Sequence, residues 1–293
     1  MEKYKKYIFP ALAGLFVLLF LISAGVLISE FVKSSKNASQ NDELANLKQQ
    51  ATANVSDNTP TPTEGVKPDG GADPTDGAEA PTEPLPSHVE VAHPVTGAPI
   101  FMLREYAEIF RLNPDTAGWI HIDGTEIDYP VMWTPGRDDY YYKRDFYKKD
   151  SKYGCIYAEE NASLEMPSDN VTLYGHNMND GSMFAGLHNY RKESFYKEHS
   201  LISFDTLYEH HTYKIIAVFD ASFKNPDTSF YFHMYVDGTE QDFNNYVAEI
   251  KSRSIYDTGE TAVYGDKLIT LCTCDKDYST DHGRFVVVAK RIS

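Results

Sequence analysis

The first pattern along the chain is an uncharged, mostly apolar run from Tyr7 to Ser29. At about 1.5 Å per residue, a helix of this length crosses the roughly 30 Å hydrocarbon core of a bilayer. A cleavable signal peptide usually has an apolar region of about 7–15 residues. This run continues beyond Ser23-Ala24-Gly25, the small residues at which a cut is conceivable. We therefore predict an uncleaved transmembrane signal-anchor over residues 7–32.

Basic residues precede this run. Lys3, Lys5 and Lys6 lie directly before it, and lysines and arginines are enriched on the cytoplasmic side of membrane segments. We predict that residues 1–6 are cytoplasmic and that the chain beyond the anchor lies outside the cell membrane.

The composition changes over residues 33–93. The stretch PTPTEGVKPDGGADPTDGAEAPTEPLP is rich in Pro, Thr, Gly, Asp and Glu and nearly free of large apolar residues. Such a segment buries too little apolar surface to offset the entropy lost on ordering. We predict a disordered tether, extended by its acidic charge and prolines, followed by one folded domain over residues 94–293.

Two stretches of this domain have apolar residues at helical spacing. One begins at Met102, in MLREYAEIFRLNPD, and ends at Asn113-Pro114, because the residue before a proline is disfavoured in a helix. The other covers Asp237–Ser254, where Phe243 and Tyr246 share a face with further apolar residues. The periodicity predicts a helix in each stretch.

Most of the remaining pattern is typical of short strands rich in β-branched and aromatic residues. The predicted strands are Trp119–Ile122, Ile127–Val131, GCIYAE from Gly154, VTLYG from Val171, Thr212–Phe223, KLITLCT from Lys267 and RFVVVAKRI from Arg284. Many short strands with few helices predict a mostly antiparallel barrel or sandwich.

Charge excludes one class of partner. The chain carries a formal net charge of −16 at pH 7, and the acidic residues are spread over tether and domain alike. No basic patch with interleaved aromatic residues is present, which argues against nucleic acid as a partner.

The candidate chemistry centres on the three cysteines, Cys155, Cys272 and Cys274. A structural zinc site needs about four Cys or His ligands, and neither a C-x-x-C pair nor an H-x-x-x-H spacing accompanies these thiols. Residues two apart on a strand have Cα atoms about 6.5–7 Å apart, which is too stretched for an easy disulfide between Cys272 and Cys274. Pairing of Cys155 with either of them depends on the fold and stays open.

The acidic residues between Asp275 and Asp281 suggest a calcium loop at first sight. An EF-hand loop requires Gly at its sixth position and Glu at its twelfth, and these positions hold Thr280 and Val286. A solvated acidic turn is the better interpretation.

Nucleophilic catalysis is the remaining interpretation of the thiols. A cysteine nucleophile needs an acid or base nearby and donors for the developing oxyanion. Arg284 begins the strand after Cys274, so a loop between neighbouring strands would return it beside the thiol. His176 directly follows the strand that ends at Tyr174-Gly175 and is the best candidate for the partner, although a histidine in such a position is more often structural.

These segments resemble the sortase family, class B. The stretch TLCTC, Thr270–Cys274, resembles the signature TLxTC, and Arg284 follows at a short distance. The stretch TLYGHNMNDGSMFAGL resembles the class B segment around the histidine, and NPDTAGWIHIDGTEIDYPVM resembles the amino-terminal part of that class. The three matches occur in the family's order and cover most of 113–292.

The resemblance implies the fold and the activity. The expected fold is an eight-stranded sortase-type β-barrel with an N-terminal helical addition, a helix before the cysteine strand and a single transmembrane helix ahead of both. The expected activity is that of a Gram-positive cysteine transpeptidase, a thiol-dependent hydrolase and acyltransferase. Such an enzyme cleaves a C-terminal sorting motif of secreted proteins and transfers them to a peptidoglycan precursor. Transfer to a pilin amine and a non-catalytic surface binding module remain the alternatives.

The resemblance also implies roles for individual residues. Cys274 is expected as nucleophile, His176 as acid and base, and Arg284 as the stabiliser of the oxyanion or substrate, with Cys272, Thr273 and Asn177 as substrate contacts. Class B members often have Ser where this chain has Cys272, and a thiol is a weaker hydrogen-bond donor than a hydroxyl. No cofactor and no metal are expected.

Overall fold

The computed structural model describes residues 2–56, 86–222, 231–274 and 283–293. The chain forms two compact units, Met1–Glu43 and Leu44–Ser293. The long helix α1 (Glu2–Ser56) begins in the first unit and ends in the second.

The apolar part of α1 lies in the first unit. Its large apolar side chains are exposed all around the helix, as Phe16, Phe20 and Leu27 illustrate. A helix that is apolar on every side is typical of a segment whose surroundings are themselves apolar. Among the described residues, α1 is the one helix whose length and composition suffice to cross a membrane.

The second unit is built around a closed barrel of eight strands. The strands are β3 (Thr116–His121), β4 (Asp128–Met132), β5 (Ile156–Ala158), β6 (Asn170–Tyr174), β7 (Leu201–Thr206), β8 (Thr212–Ser222), β9 (Leu268–Cys274) and β10 (Gly283–Arg291). They follow each other around the barrel in the order β10-β8-β7-β3-β4-β5-β6-β9. The eight-stranded barrel is therefore confirmed.

Most neighbouring strands are antiparallel, as predicted, but two pairs are parallel. Strand β4 pairs with β5 in parallel, and β6 pairs with β9 in parallel. The second pair matters for function because both strands then end at the same rim of the barrel.

The helix before the cysteine strand is also confirmed. Helix α4 (Glu240–Arg253) begins at Thr239, whose side chain accepts from the backbone N–H of Asp242 while the Asp242 carboxylate accepts from the N–H of Thr239. This reciprocal cap satisfies donors that a helix start leaves open. The helix packs Phe243 and Tyr246 against the outer faces of β8, β9 and β10.

Two short strands precede the N-terminal helical addition. Strands β1 (His88–Ala92) and β2 (Pro99–Leu103) form an antiparallel pair, and helix α2 (Arg104–Leu112) follows directly. The predicted helix therefore begins later than expected, because Met102 pairs with Val89 in this small sheet.

The structure differs from the expectation of a disordered tether over residues 33–93. Residues up to Ser56 are helical, and β1 places 88–92 within the folded unit. The reason is burial of an apolar face near the end of α1, where Leu44 is fully buried in a cluster with Met102 and Tyr106. Lys48 lies one turn further, with Nζ 4.9 Å from the centre of the Trp119 ring. The part of the expected tether over residues 57–85 lies outside the described residues.

Replacing Leu44 by alanine is expected to destabilise the second unit. The change removes a fully buried side chain, which costs about 2 kcal/mol or more, and a domain of this size then loses roughly 4–8 °C in Tm. Thermal unfolding of the full chain in detergent measures the effect. Asn46→Ala, at an exposed position of the same helix, serves as the control, and equal Tm values for both variants would contradict the buried contact.

Short helical segments complete the unit between β6 and β7. A 3₁₀ helix covers Ala185–Arg191, and α3 covers Glu193–Glu198. The 3₁₀ helix places Leu187 and Tyr190 in the barrel core. Its polar face consequently lies at the same barrel rim as the ends of β6 and β9.

Candidate active site

The parallel pairing of β6 and β9 brings the predicted histidine to the predicted thiol. Tyr174 is the register partner of Cys272. His176 and Cys274 each lie two residues further along the chain, so they leave the two strands at the same level. No spacing in the sequence reveals this, because it depends on which strands are neighbours.

The antiparallel pairing of β9 and β10 brings the guanidinium of Arg284 to the same end of the barrel as Cys274. Arg284 is the register partner of Cys274, and side chains directly opposite each other on one face of a sheet are neighbours. Its Nη1 donates to the carbonyl of Gly283 at 3.0 Å. The expectation that the chain returns Arg284 beside the cysteine agrees with this register.

Cys274, His176 and Arg284 line one small cavity of about 50 Å³. The other lining residues are Tyr142, Tyr157, Tyr174, Gly175, Cys272 and Thr273. A thiol, an imidazole and a guanidinium around one cavity form a set that can attack a carbonyl, move a proton and stabilise negative charge.

The orientation of His176 is set by Tyr142. The Nε2 of His176 lies 2.7 Å from the backbone carbonyl of Tyr142, so Nε2 carries a proton and donates it. The Tyr142 ring packs against the imidazole with centroids 4.6 Å apart. In the neutral imidazole, Nδ1 is consequently the nitrogen without a proton, and it is the ring atom that is available to accept one.

Burial lowers the pKa of His176 below its ordinary value of 6.5. The positive charge of Lys143 lowers it further, whereas the carbonyl of Tyr142 and the charge of Asp139 act in the opposite direction. At pH 7 most molecules therefore carry neutral His176, and the imidazolium becomes abundant only as the pH falls towards the lowered pKa.

The three thiols differ in their surroundings. Cys272 is 2% exposed, and burial raises its pKa to about 12 even though Arg284 lowers it. Cys155 is buried in the cluster around α2, with Sγ 3.4 Å from the carbonyl of Arg144, and burial raises its pKa as well. Cys274 is partly exposed. Because a thiolate is the reactive form, these environments make Cys274 the candidate nucleophile among the three thiols.

All three cysteines are free thiols. Cys155 belongs to the cluster around α2, whereas Cys272 belongs to the cluster under α4. The pairing of Cys155 that the sequence left open is therefore not formed.

Two of the predicted substrate contacts are occupied by bonds within the protein. The Thr273 hydroxyl donates to the carbonyl of Gly175 at 2.8 Å, which joins β9 to the segment that carries His176. The Asn177 amide donates to the carbonyl of Cys274 at 3.0 Å. Both side chains therefore bond to the backbone of the site itself, and Thr273 and the buried Cys272 also line the cavity.

Gly175 is required by close packing before His176. A Cβ at this position would lie 2.5 Å from Cδ1 of Ile156 and 2.6 Å from Cγ of Phe184. No side chain fits at such distances, so glycine lets the chain leave β6 tightly against the barrel core.

Sequence reasoning did not identify the aromatic wall of the cavity. Tyr157 and Tyr174 face each other across β5 and β6, with ring centroids 5.4 Å apart. Their hydroxyls donate to Asp139 and Glu159, respectively. The tyrosine in YGH was a usable signal for Tyr174, whereas Tyr142 and Tyr157 come from segments that only the fold brings together.

Two further features that the sequence raised are a metal site and an acidic turn after Cys274. Among the described residues, no three His, Cys, Asp or Glu side chains converge to hold a metal ion. The predicted solvated turn from Asp275 to Asp281 lies outside the described residues.

The chain is similar to proteins of one family. The family model described as "Sortase domain" matches residues 120–292. Sortase B of Listeria monocytogenes is 31% identical over 189 residues, which cover 64% of this chain and 74% of that protein. Sortase B of Staphylococcus aureus is 30% identical over 188 residues, with 64% and 75% covered.

A solved structure extends the similarity to the fold. The Staphylococcus aureus sortase B–substrate complex has a TM-score of 0.66 at 22% identity, covering 89% of this chain and 99% of that one. At this identity the likeness concerns the fold alone.

Proposed function

Because the chain belongs to the sortase family, in its class B, we propose that it is a membrane-anchored cysteine transpeptidase acting through Cys274. It cleaves a sorting motif near the carboxyl end of secreted proteins and joins them to an amine of the cell wall. One observation carries this proposal: Cys274, His176 and Arg284 line a common cavity, whereas the thiols of Cys155 and Cys272 are buried.

The first half of the reaction is acylation. The Cys274 thiolate attacks a backbone carbonyl of the sorting motif and forms a tetrahedral oxyanion. Collapse of this species breaks the C–N bond and leaves a thioester on Sγ. The imidazolium of His176 gives the proton from Nδ1 to the departing amine, while Nε2–H keeps its bond to the Tyr142 carbonyl.

Arg284 stabilises the negative charge that develops on the carbonyl oxygen. Its register position opposite Cys274 supports this role, because a planar, permanently charged donor group then lines the same cavity as the thiol. Donors aimed at a developing oxyanion are worth about 10²–10³-fold in rate, and the fork of an arginine also fixes the orientation of the carbonyl.

The second half transfers the acyl group. An amine of a peptidoglycan precursor attacks the thioester, and neutral His176 takes up its proton. The C–S bond then breaks, which regenerates the thiolate and the imidazolium. Each step uses side chains of this chain and the two substrates.

The reactive form requires a thiolate and an imidazolium together. Because the pKa of His176 is lowered, only a minority of molecules carries the imidazolium at pH 7. Most molecules therefore hold the thiol and the neutral imidazole, and catalysis depends on the small fraction that holds the thiolate and the imidazolium.

The anchor supports a location at the cell surface. The exposed apolar part of α1 begins close to the amino terminus, and Lys3, Lys5 and Lys6 precede that part. We propose a single-pass topology with residues 1–6 in the cytoplasm and the barrel outside, where secreted substrates pass.

A direct test uses the full chain in detergent with a library of candidate sorting peptides and an amine acceptor. Mass spectrometry identifies the cleaved bond and the acyl–amine product. Cleavage at one motif with transfer to the amine supports the proposal. Absence of both cleavage and a Cys274 thioester for every peptide contradicts it.

Replacing Lys143 by methionine is expected to raise the pKa of His176. The change removes the positive charge that disfavours the imidazolium, so the imidazole titrates at higher pH while desolvation is unaltered. Nuclear magnetic resonance titration measures this, with the His176 signal assigned by its loss in His176→Gln.

The matched control for this titration is Lys149→Met, an exposed lysine of the same segment. An unchanged His176 pKa in Lys143→Met, or an equal rise in the control, would contradict the role of Lys143.

A further inference from the structure

We infer that His188 is a positioning residue for Cys274 and acts together with Asn177 through the backbone carbonyl of the nucleophile. The inference rests on the proposed function, because it assigns a task within that same site. It concerns a second histidine, which lies on the 3₁₀ helix and contacts the backbone of Cys274.

Two side-chain donors converge on one carbonyl oxygen. The Nε2 of His188 lies 3.1 Å from the carbonyl of Cys274, and the Nδ2 of Asn177 lies 3.0 Å from the same oxygen. A carbonyl oxygen has two lone pairs and can accept both bonds. The two nitrogens are also 2.9 Å apart, but Asn177 donates to Nε2 of His188 only in the tautomer whose Nε2 carries no proton, so the bond from His188 to the carbonyl requires the proton on Nε2.

Arg191 decides which nitrogen of His188 carries the proton. Its Nε–H donates to Nδ1 of His188 at 3.4 Å. Since arginine has no acceptor, Nδ1 is the acceptor, and the neutral imidazole carries its proton on Nε2. That proton is then directed at the Cys274 carbonyl.

The support of His188 is itself fixed by neighbouring strands. Arg191 forms a paired contact with Asp220 of β8, at 2.6 and 3.1 Å. The His188 ring stacks on Phe285 of β10, with centroids 4.9 Å apart and planes at 20°, and the Arg191 guanidinium lies 4.5 Å from the centre of the same ring. The imidazole is thus held on one face by an aromatic ring and at one edge by an ion pair.

The two hydrogen bonds to the Cys274 carbonyl fix the position of the Cys274 backbone relative to that of His176. Cys274 is the last residue of β9, and a carbonyl bound by two donors restricts rotation at that strand end. Asn177 is the residue next to His176, so its bond to Cys274 ties the backbone of the acid to the backbone of the nucleophile. His188 adds the second bond to that oxygen.

The test compares two variants of His188 in the full chain. His188→Phe keeps an aromatic ring over Phe285 but removes the donor, whereas His188→Gln keeps a donor and removes the ring. We expect kcat for a cleaved sorting peptide to fall about tenfold in His188→Phe, with KM within about twofold, as loss of one oriented hydrogen bond predicts. We expect His188→Gln to retain most of the activity. Asn189→Ala, at the exposed neighbouring position, is the control.

The variants distinguish a role of the His188 hydrogen-bond donor from a role of its ring. Full activity in His188→Phe, or a loss in His188→Gln as large as in His188→Phe, would overturn the inference, because the ring and not the donor would then matter. If His188→Phe fails to fold by circular dichroism, Asn177→Asp replaces it, since a carboxylate oxygen facing the Cys274 carbonyl removes a donor without changing shape. Activity of that variant close to wild type would overturn the inference as well. Absence of turnover in the wild-type chain would refute the proposed function instead.

Discussion

Replacing Cys274 by alanine is expected to abolish turnover of a sorting peptide, with a fall of about 10³-fold or more. The reason is that no second thiol can take over. Burial raises the pKa of Cys272 to about 12, so its thiol stays protonated at any physiological pH. Cys155 lies in a separate apolar cluster around α2 and does not line the cavity. Cleavage rates and the mass of a trapped acyl-enzyme measure the effect.

The matched control is Cys272→Ser, on the same strand and the same face as Cys274. A serine hydroxyl is smaller than a thiol, and serine is frequent at this position among class B sortases, so most of the activity should remain. A loss equal to that in Cys274→Ala would mean that Cys272 is the nucleophile. Alkylation of the native protein offers an independent readout, because the partly exposed Cys274 should react before both buried thiols.

The barrel itself follows closely from the sequence. Strands rich in β-branched and aromatic residues were predicted from their local pattern, and their bounds differ by a few residues from those of β3 to β6 and β8 to β10. The helix over Asp237–Ser254 agrees with α4, because its apolar face and its capping residues act locally. Local pattern and local capping are properties that a sequence carries directly.

The elements that were missed depend on partners far away in the chain. Strand β1 has one buried residue, Val91, and gives no alternating signal of its own. Leu44, Ala45 and Leu47 are a few apolar residues in a polar stretch, so nothing local indicates that Leu44 is buried against Met102 and Tyr106. Strand β7 alternates weakly and was not predicted. In each case tertiary contacts and not local preference decide the structure.

In the candidate site, too, the sequence indicates some features, whereas others depend on tertiary contacts. Cys274, His176 and Arg284 were identified by resemblance, and the structure brings them to one cavity. The tasks of Asn177 and Thr273 were expected at the substrate, yet both side chains bond to backbone carbonyls of the protein. Sequence motifs indicate which residues matter, whereas the direction of each side chain depends on the register of β6, β9 and β10.

Replacing Arg284 by lysine is expected to lower kcat/KM by about 10²–10³-fold, the range for loss of an oxyanion donor. A lysine keeps the positive charge but presents a single compact ammonium, which cannot copy a planar fork of donors. Arg284 is opposite Cys274 in the β9–β10 register, so a shorter reach or a shifted charge acts directly at the reacting carbonyl. Steady-state kinetics with the cleaved peptide separates kcat from KM.

The matched control is Arg291→Lys, at the other end of the same strand, opposite Tyr213 and away from the cavity. It changes the same functional group in the same way, so any effect of the exchange on strand stability appears in both variants. A rise in KM with unchanged kcat in Arg284→Lys would show that Arg284 binds substrate equally well in the ground state and the transition state. Unchanged kcat/KM would remove Arg284 from the site altogether, and the oxyanion would then be held by backbone N–H groups alone.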